Sequence, residues 1–197
     1  MLSEAELDPF FDKARTEWFR LEALHSYTVD VEQPRLRAYL AGEPYESVPE
    51  PAAWYEEIRR RTDEGVAYRK VRVVCGPLGE YERWELEWGY TGSERHGQRT
   101  FIIDLAETRH PPQLPAYDWW MLDERVVLRF HYDDDGTFLG AVPIEDPGEV
   151  AEHVRHRDAA LAVATRFPEY WKAHPQYWRE NWLDAPGMIA GPSRLPE

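Results

Sequence analysis

The chain has 197 residues, enough for one domain with a sizeable core. Its 43% hydrophobic content excludes global disorder. A net charge of −14 repels phosphate backbones, so direct nucleic-acid binding is set aside while a basic protein partner stays open.

Ser3 and Glu6 have the spacing of a capping box, and Leu7, Phe11, Ala14 and Trp18 follow at helical intervals. Residues 18–24 either prolong that helix or form an extended arm. A short helix is expected from Glu32 to Tyr39, ended by Gly42. Pro49 and Pro51 open another, with Trp54, Ile58 and Thr62 on its face and Gly65 as its stop. The β-branched run Val66–Val74 predicts a strand. Leu78, Tyr81, Trp84 and Trp88 then predict a helix over 78–90, residues 91–98 a polar loop, and Arg99–Leu105 a second strand. Three prolines in 110–115 exclude helix there.

Three more strands are expected around Asp118–Asp123, Val126–Tyr132 and Phe138–Val142. Asp133-Asp-Asp-Gly136 forms the hairpin turn between the last two. Asp146-Pro-Gly-Glu149 combines an N-cap, a first-turn proline and an acid, opening a helix with Val150, Val154 and Leu161 on one side. An aromatic stretch to Trp182 precedes a Gly/Pro-rich tail. The predicted fold is α+β: a single mixed, mostly antiparallel sheet of about five strands, with N-terminal helices, one strand-helix-strand crossover and C-terminal helices. Residues 1–185 form one globular domain in this reading (1–65 helical, 66–145 sheet, 146–185 helical), and 186–197 a flexible tail.

Cys75 is the single cysteine, which rules out an internal disulfide and a multi-thiolate metal site. No basic-then-apolar signal opens the chain, and no window approaches the roughly 20 apolar residues of a membrane span. A cytoplasmic setting without cofactor or metal is expected.

Phe19-Arg-Leu-Glu22, Tyr39-Leu-Ala-Gly-Glu-Pro44, Arg69-Lys-Val-Arg-Val-Val74, Trp84-Glu-Leu-Glu-Trp-Gly-Tyr90, Asp118-Trp-Trp-Met-Leu-Asp123 and His131-Tyr-Asp-Asp-Asp-Gly136 stand out as motifs, with Pro77 and Tyr81 between them. In these the chain resembles an uncharacterised actinobacterial domain family, over roughly residues 10–160. The resemblance implies a gene neighbourhood with helix-turn-helix regulators and carries over no functional residues. The order strand 66–74, helix 78–90, strand 99–105 and hairpin is also similar to half of a phospholipase-D-type domain. Such enzymes use a His-x-Lys pair, with the His as nucleophile and the Lys stabilising charge. No histidine here is followed two residues later by lysine, so the likeness implies a degenerate, non-catalytic scaffold.

Candidate sites are weighed against plainer roles. His131 with Asp133, Asp134 and Asp135 lacks the continuing acids of a calcium loop and reads as a solvated turn. His153 and His156 lie one helical turn apart and read as surface residues. Cys75 reads as a small buried hydrophobe. Glu80, Glu82, Glu85 and Glu87 read as a solvated helix face, with a buried network of Arg69, Arg72 and Glu85 as the alternative. Trp119 and Trp120 point to opposite sides of a strand.

Three functions follow. The first is a non-catalytic acidic interaction or regulatory domain, its partner a protein such as a helix-turn-helix regulator, or a second copy in a homodimer. Its binding residues are drawn from Trp84, Trp88, Trp119, Trp120, Trp171, Trp178 and Trp182. The second is a phosphodiesterase or nucleotide-processing enzyme using Glu85, Arg72 and His131, which requires those three side chains to converge. The third is a small-ligand-binding domain with Trp84, Trp88 and Trp120 lining a cavity.

Overall fold

The computed structural model describes residues 1–182, except the side chain of Trp182. Its strands are β1 (Glu17–Glu22), β2 (Ala67–Val74), β3 (Arg99–Asp104), β4 (Trp119–Leu122), β5 (Val126–Tyr132), β6 (Phe138–Ile144) and β7 (Thr165–Arg166). They form one sheet in the order β6-β5-β4-β1-β2-β3-β7. β1 runs parallel to β2 and β2 parallel to β3, while every other neighbouring pair is antiparallel. The sheet is mixed and mostly antiparallel as expected, but it has seven strands rather than about five.

β1 is the main correction. The stretch read as a helix extension or an arm is the central strand, paired on one side with β2 and on the other with β4. Five of its six residues are buried, with side chains on both faces, so it lacks the apolar/polar alternation that marks a half-buried strand. The N-terminal 65 residues are therefore not simply helical. β7, only two residues long, gives no periodic signal at all.

The helices include α1 (Glu4–Lys13), α2 (Gln33–Leu40) and α3 (Ala52–Asp63). The Glu6 carboxylate accepts the N–H and hydroxyl of Ser3, the expected cap. Between β2 and β3, α4 (Glu80–Trp84) continues through a π-helical turn (Glu85–Tyr90) into α5 (Thr91–Arg95). Residues 91–95 of the expected 91–98 loop are thus helical. After β6 comes α6 (Pro147–Val163), and after β7 come α7 (Phe167–Ala173) and α8 (Arg179–Trp182). Asp146 caps α6 by accepting the N–H groups of Gly148 and Glu149. The expected tail 186–197 lies outside the described residues.

Because side chains alternate along a strand, the central strands present two chemically different faces. Phe19, Leu21, Val71, Val73, Ile103, Trp119, Met121 and Val127 form the apolar face, which packs against Val150 and Ala160 of α6. His153 lies on the same side of α6 and is buried, not a surface residue as expected. Its Nε2 pairs with the Tyr117 hydroxyl at 3.1 Å, and its ring meets Trp119 edge to face. The opposite face carries Trp18, Arg20 and Glu22 from β1 and Tyr68, Lys70 and Arg72 from β2, with Trp120 from β4 in register with Arg20. Helices cover this face at its edges: Tyr55 and Ile58 of α3 join the Trp18–Tyr68–Trp120 cluster, and Leu86 and Tyr90 pack on Val74 and Ile102.

Candidate functional site

Where those helices do not close over the second face, a cavity of about 680 Å³ remains, within the usual range for small-molecule sites. The strands contribute Arg20, Glu22, Tyr68, Lys70, Trp120 and Phe130 to its lining. The helical crossover adds Tyr81, Trp84, Glu85 and Tyr90, and the segment before α2 adds Tyr27 and Glu32.

The charged residues beneath it form a continuous network. Glu22 accepts Lys70 Nζ at 2.9 Å and the Tyr90 hydroxyl at 2.6 Å, and pairs with Arg20 Nε at 2.7 Å. Asp118, completely buried, accepts the Tyr27 hydroxyl at 2.7 Å, the Ala23 N–H at 2.8 Å and Arg20 Nη2 at 3.2 Å. Arg72, also completely buried, pairs with Glu85 at 3.1 Å and donates to the carbonyls of Leu24 and His25. Cationic groups also cover ring faces: Arg20 lies over Trp120 and Phe130, and Lys70 over Tyr90.

The two buried glutamates experience opposite fields. Burial works to raise the pKa of Glu22, but Lys70, Arg20 and Arg72 outweigh it and hold the carboxyl well below its ordinary range. Glu85 is buried with fewer cations; desolvation prevails over Arg72 and pushes it up to about 7. Burial likewise raises Glu32 despite the hydrogen bond from Tyr81, and Asp118 despite Arg20. One carboxylate is thus firmly ionised while another exchanges a proton near neutrality, a division of roles that suits proton transfer or charge-dependent binding.

The backbone around Glu85 departs from the regular α-helix. Glu85 begins the π-helical turn and Tyr90 ends it, so the widened turn aims both at the strand residues Arg72 and Glu22. Such insertions in a helix are frequently found at functional sites.

The expected site residues divide between the two faces. Glu85 and Arg72 meet, but His131 does not join them. It alternates with Phe130 and Tyr132 along β5 and lines a separate depression with Arg129, Val142 and Glu149. Trp84 and Trp120 line the cavity, whereas Trp88 packs with Ala38 and Tyr39 under the guanidinium groups of Arg35 and Arg179. Trp119 is fully buried on the apolar face, so both members of the Trp119–Trp120 pair are covered, each on its own side.

Near the C-terminus, Tyr170 and Tyr177 are buried against Leu78 and Ile102 with Trp171 packed on them, and Trp178 donates its indole N–H to the Trp171 carbonyl at 2.8 Å. The Trp182 side chain lies outside the described residues. Glu82 and Glu85 are buried rather than solvated. Arg69 leaves the expected network and pairs with Glu17. Cys75 is half-buried, and Asp133 accepts the N–H groups of Asp135 and Thr137, completing the turn.

Sequence reasoning did not single out Arg20, Glu22, Tyr68, Lys70, Tyr90 or Asp118 as site residues. A signal was present: Arg20/Glu22 and Lys70/Arg72 place charges two residues apart inside otherwise apolar runs, which loads one strand face with charge.

A family model described as a domain of unknown function (DUF6879) matches residues 5–172. The chain belongs to this family. The DUF6879 match spans all seven strands and every residue lining the cavity except Glu4. No curated protein matches the chain. Among the described residues of this DUF6879 member, no helix is long and apolar enough to cross a membrane.

Proposed function

We propose that this chain is a small-ligand-binding domain whose ligand occupies the cavity between the charged sheet face and the α4–α5 crossover. The observation that carries this reading is the cavity of about 680 Å³ in which Arg20, Glu22, Lys70 and Glu85 meet the rings of Tyr68, Trp84 and Trp120. Placing this many charged groups at a sheet centre is costly unless they are paired, and a preorganised polar floor with aromatic walls is how small-molecule sites obtain specificity. A regulatory role, in which ligand occupancy is reported to a partner such as a helix-turn-helix regulator, is the natural extension of this proposal. It draws support from the net charge of −14.

Screening a metabolite library by thermal shift, with Trp120→Phe as a reporter variant, tests the proposal. The expected hit raises the melting temperature and loses affinity in the variant. A ligand that stabilises both proteins equally, or a library that stabilises neither, counts against the cavity.

The phosphodiesterase reading keeps Glu85 and Arg72 but loses His131 to the other side of the sheet, and among the described residues no histidine lines the cavity. The aromatic-interface reading has less support, because Tyr170, Tyr177, Trp171 and Trp178 are engaged in packing.

A further inference from the structure

The cavity has a directional charge imbalance. Its lining includes the cations Arg20, Arg35 and Lys70 and the carboxylates Glu4, Glu22, Glu32, Glu50 and Glu85, so acids outnumber bases. The cations are also committed elsewhere. Arg20 and Lys70 both pair with Glu22, and Arg20 also with Asp118. Arg35 donates to the carbonyls of Val48 and Pro49 and stacks over Tyr45 and Trp88.

On the acidic side the accounting is incomplete. The Glu32 carboxylate accepts the Tyr81 hydroxyl at 2.9 Å, its one side-chain hydrogen bond among the described residues; it forms no direct ion pair there and feels Lys70 and Arg20 only at longer range. Glu85 shares the single buried guanidinium of Arg72. Both carboxylates act electrostatically on the Tyr81 hydroxyl, which places them on one part of the wall. Aromatic rings stand beside them: Tyr81 packs on Trp84 with centroids 5.3 Å apart, and Trp54, 37% exposed, meets Tyr68 edge to face. Two neighbouring carboxylates that have between them one ion-paired guanidinium among the described residues, set among indole and phenol rings, make an environment for a positive group with an organic surface. An anion would meet the surplus of carboxylates, and a neutral molecule would leave Glu32 with the Tyr81 hydroxyl and no cation in direct contact.

We propose that the ligand is a small organic cation, an amine or quaternary ammonium, seated against Glu32, Tyr81 and Trp84 with Glu85 as the second carboxylate. This rests on the cavity being the binding site. A ligand cation engages Glu85 only in its ionised form, so binding strengthens as the pH rises through neutrality. Arg72, Glu22, Lys70, Glu32, Tyr81 and Tyr90 all face or adjoin that carboxyl and tune the transition.

The test is calorimetric titration of the intact chain with choline and benzyltrimethylammonium, beside the neutral isostere 3,3-dimethylbutanol and the anion benzoate. Both cations are expected to bind, with the isostere weaker by about tenfold or more. Glu32→Gln, a half-buried residue outside every ion pair among the described residues, is expected to reduce cation affinity by about tenfold while leaving the folded spectrum unchanged. Trp54→Ala at the rim is a second variant that removes ring surface without opening the core. Equal binding of cation and isostere, or full affinity in Glu32→Gln, overturns the proposal. So does silence from both cations. If benzoate or the isostere binds and quenches tryptophan fluorescence, the cavity stands as a site and the cation assignment falls. If the wider metabolite library also fails, both readings fall.

Discussion

The Tyr90 hydroxyl donates to Glu22 across 2.6 Å, tying the end of the π-helical turn to the last residue of the central strand. Both groups are buried, and the acceptor is an ionised carboxylate that also serves Lys70 and Arg20. Tyr90→Phe removes one donor and keeps the ring. The expected loss is about 1.5–3 kcal/mol of stability in chemical denaturation, the scale of a hydrogen bond to a charged group. A loss within error would mean that Glu22 is fully satisfied by its cations.

Glu85 bears on stability as well as on the proposed site. Removing it by Glu85→Ala leaves the fully buried Arg72 guanidinium without its carboxylate, a loss on the order of 3–5 kcal/mol. The variant is therefore expected to melt well below the parent, so an activity lost in Glu85→Ala alone would not identify a catalytic group. Glu85→Gln, which keeps shape and one acceptor, is the informative comparison.

The pH dependence follows from the direction of each shift. Glu85 has a folded-state pKa above its unfolded value, so between 4.5 and about 7 the folded state holds more protons than the unfolded one. That contribution declines as pH rises through this window. Glu22 behaves oppositely: its depressed pKa gives stability that is present above 4.5 and lost as pH falls below it. Subtracting the Glu85→Gln melting curve from the parent's isolates the first effect. The parent is expected to lose more stability than the variant between pH 5 and pH 7, roughly the span of the Glu85 shift. Parallel profiles would assign the group an ordinary pKa.

His153 was expected at the surface and is packed between Tyr117 and Trp119, with Nδ1 2.8 Å from the Glu149 carbonyl. His153→Ala opens a space on the apolar face and strands the Tyr117 partner. A cost of about 2–4 kcal/mol is expected, read from the denaturation midpoint. A change under about 0.5 kcal/mol, typical of a surface substitution, would contradict the burial.

Gly92 lies where a Cβ would come within 2.0 Å of the Tyr55 hydroxyl. Tyr55 lines the cavity, so Gly92→Ala has two expected outcomes: about 1–3 kcal/mol of overpacking cost and a displaced ring at the rim. A structure of the variant showing Tyr55 in place would refute the second.

The legible parts of the chain were those in which local chemistry and tertiary role coincide. The Ser3–Glu6 cap, the Asp146 cap and the Asp133–Gly136 turn are set by backbone donors within a few residues, and each formed as read. β2, β3 and the β5–β6 hairpin carried clear patterns. β1 did not, because Glu17, Arg20 and Glu22 place charge within a strand covered on both faces, and their partners Arg69, Lys70, Trp120 and Asp118 are distant in sequence. The same distance concealed the site. Glu85 and Arg72 come together as in the alternative to a solvated helix face, a pairing within reach of sequence because Arg72 is on β2 and Glu85 on the helix that follows it. His131 was placed with them although the period of two along β5 turns it to the other face.

The position of β1 also governs how the chain is made. The strand is complete at residue 22, yet its two hydrogen-bonding partners are residues 67–72 and 119–122. During synthesis Trp18, Phe19 and Leu21 stay unpaired until their β2 partners are complete at residue 72, and the second edge of the strand stays open until β4 is complete at residue 122 of 197, so the loops to be closed are long. Folding is then dominated by late, non-local pairing, which predicts slow, all-or-none assembly and exposes the nascent N-terminal segment to chaperones or to aggregation in the interval.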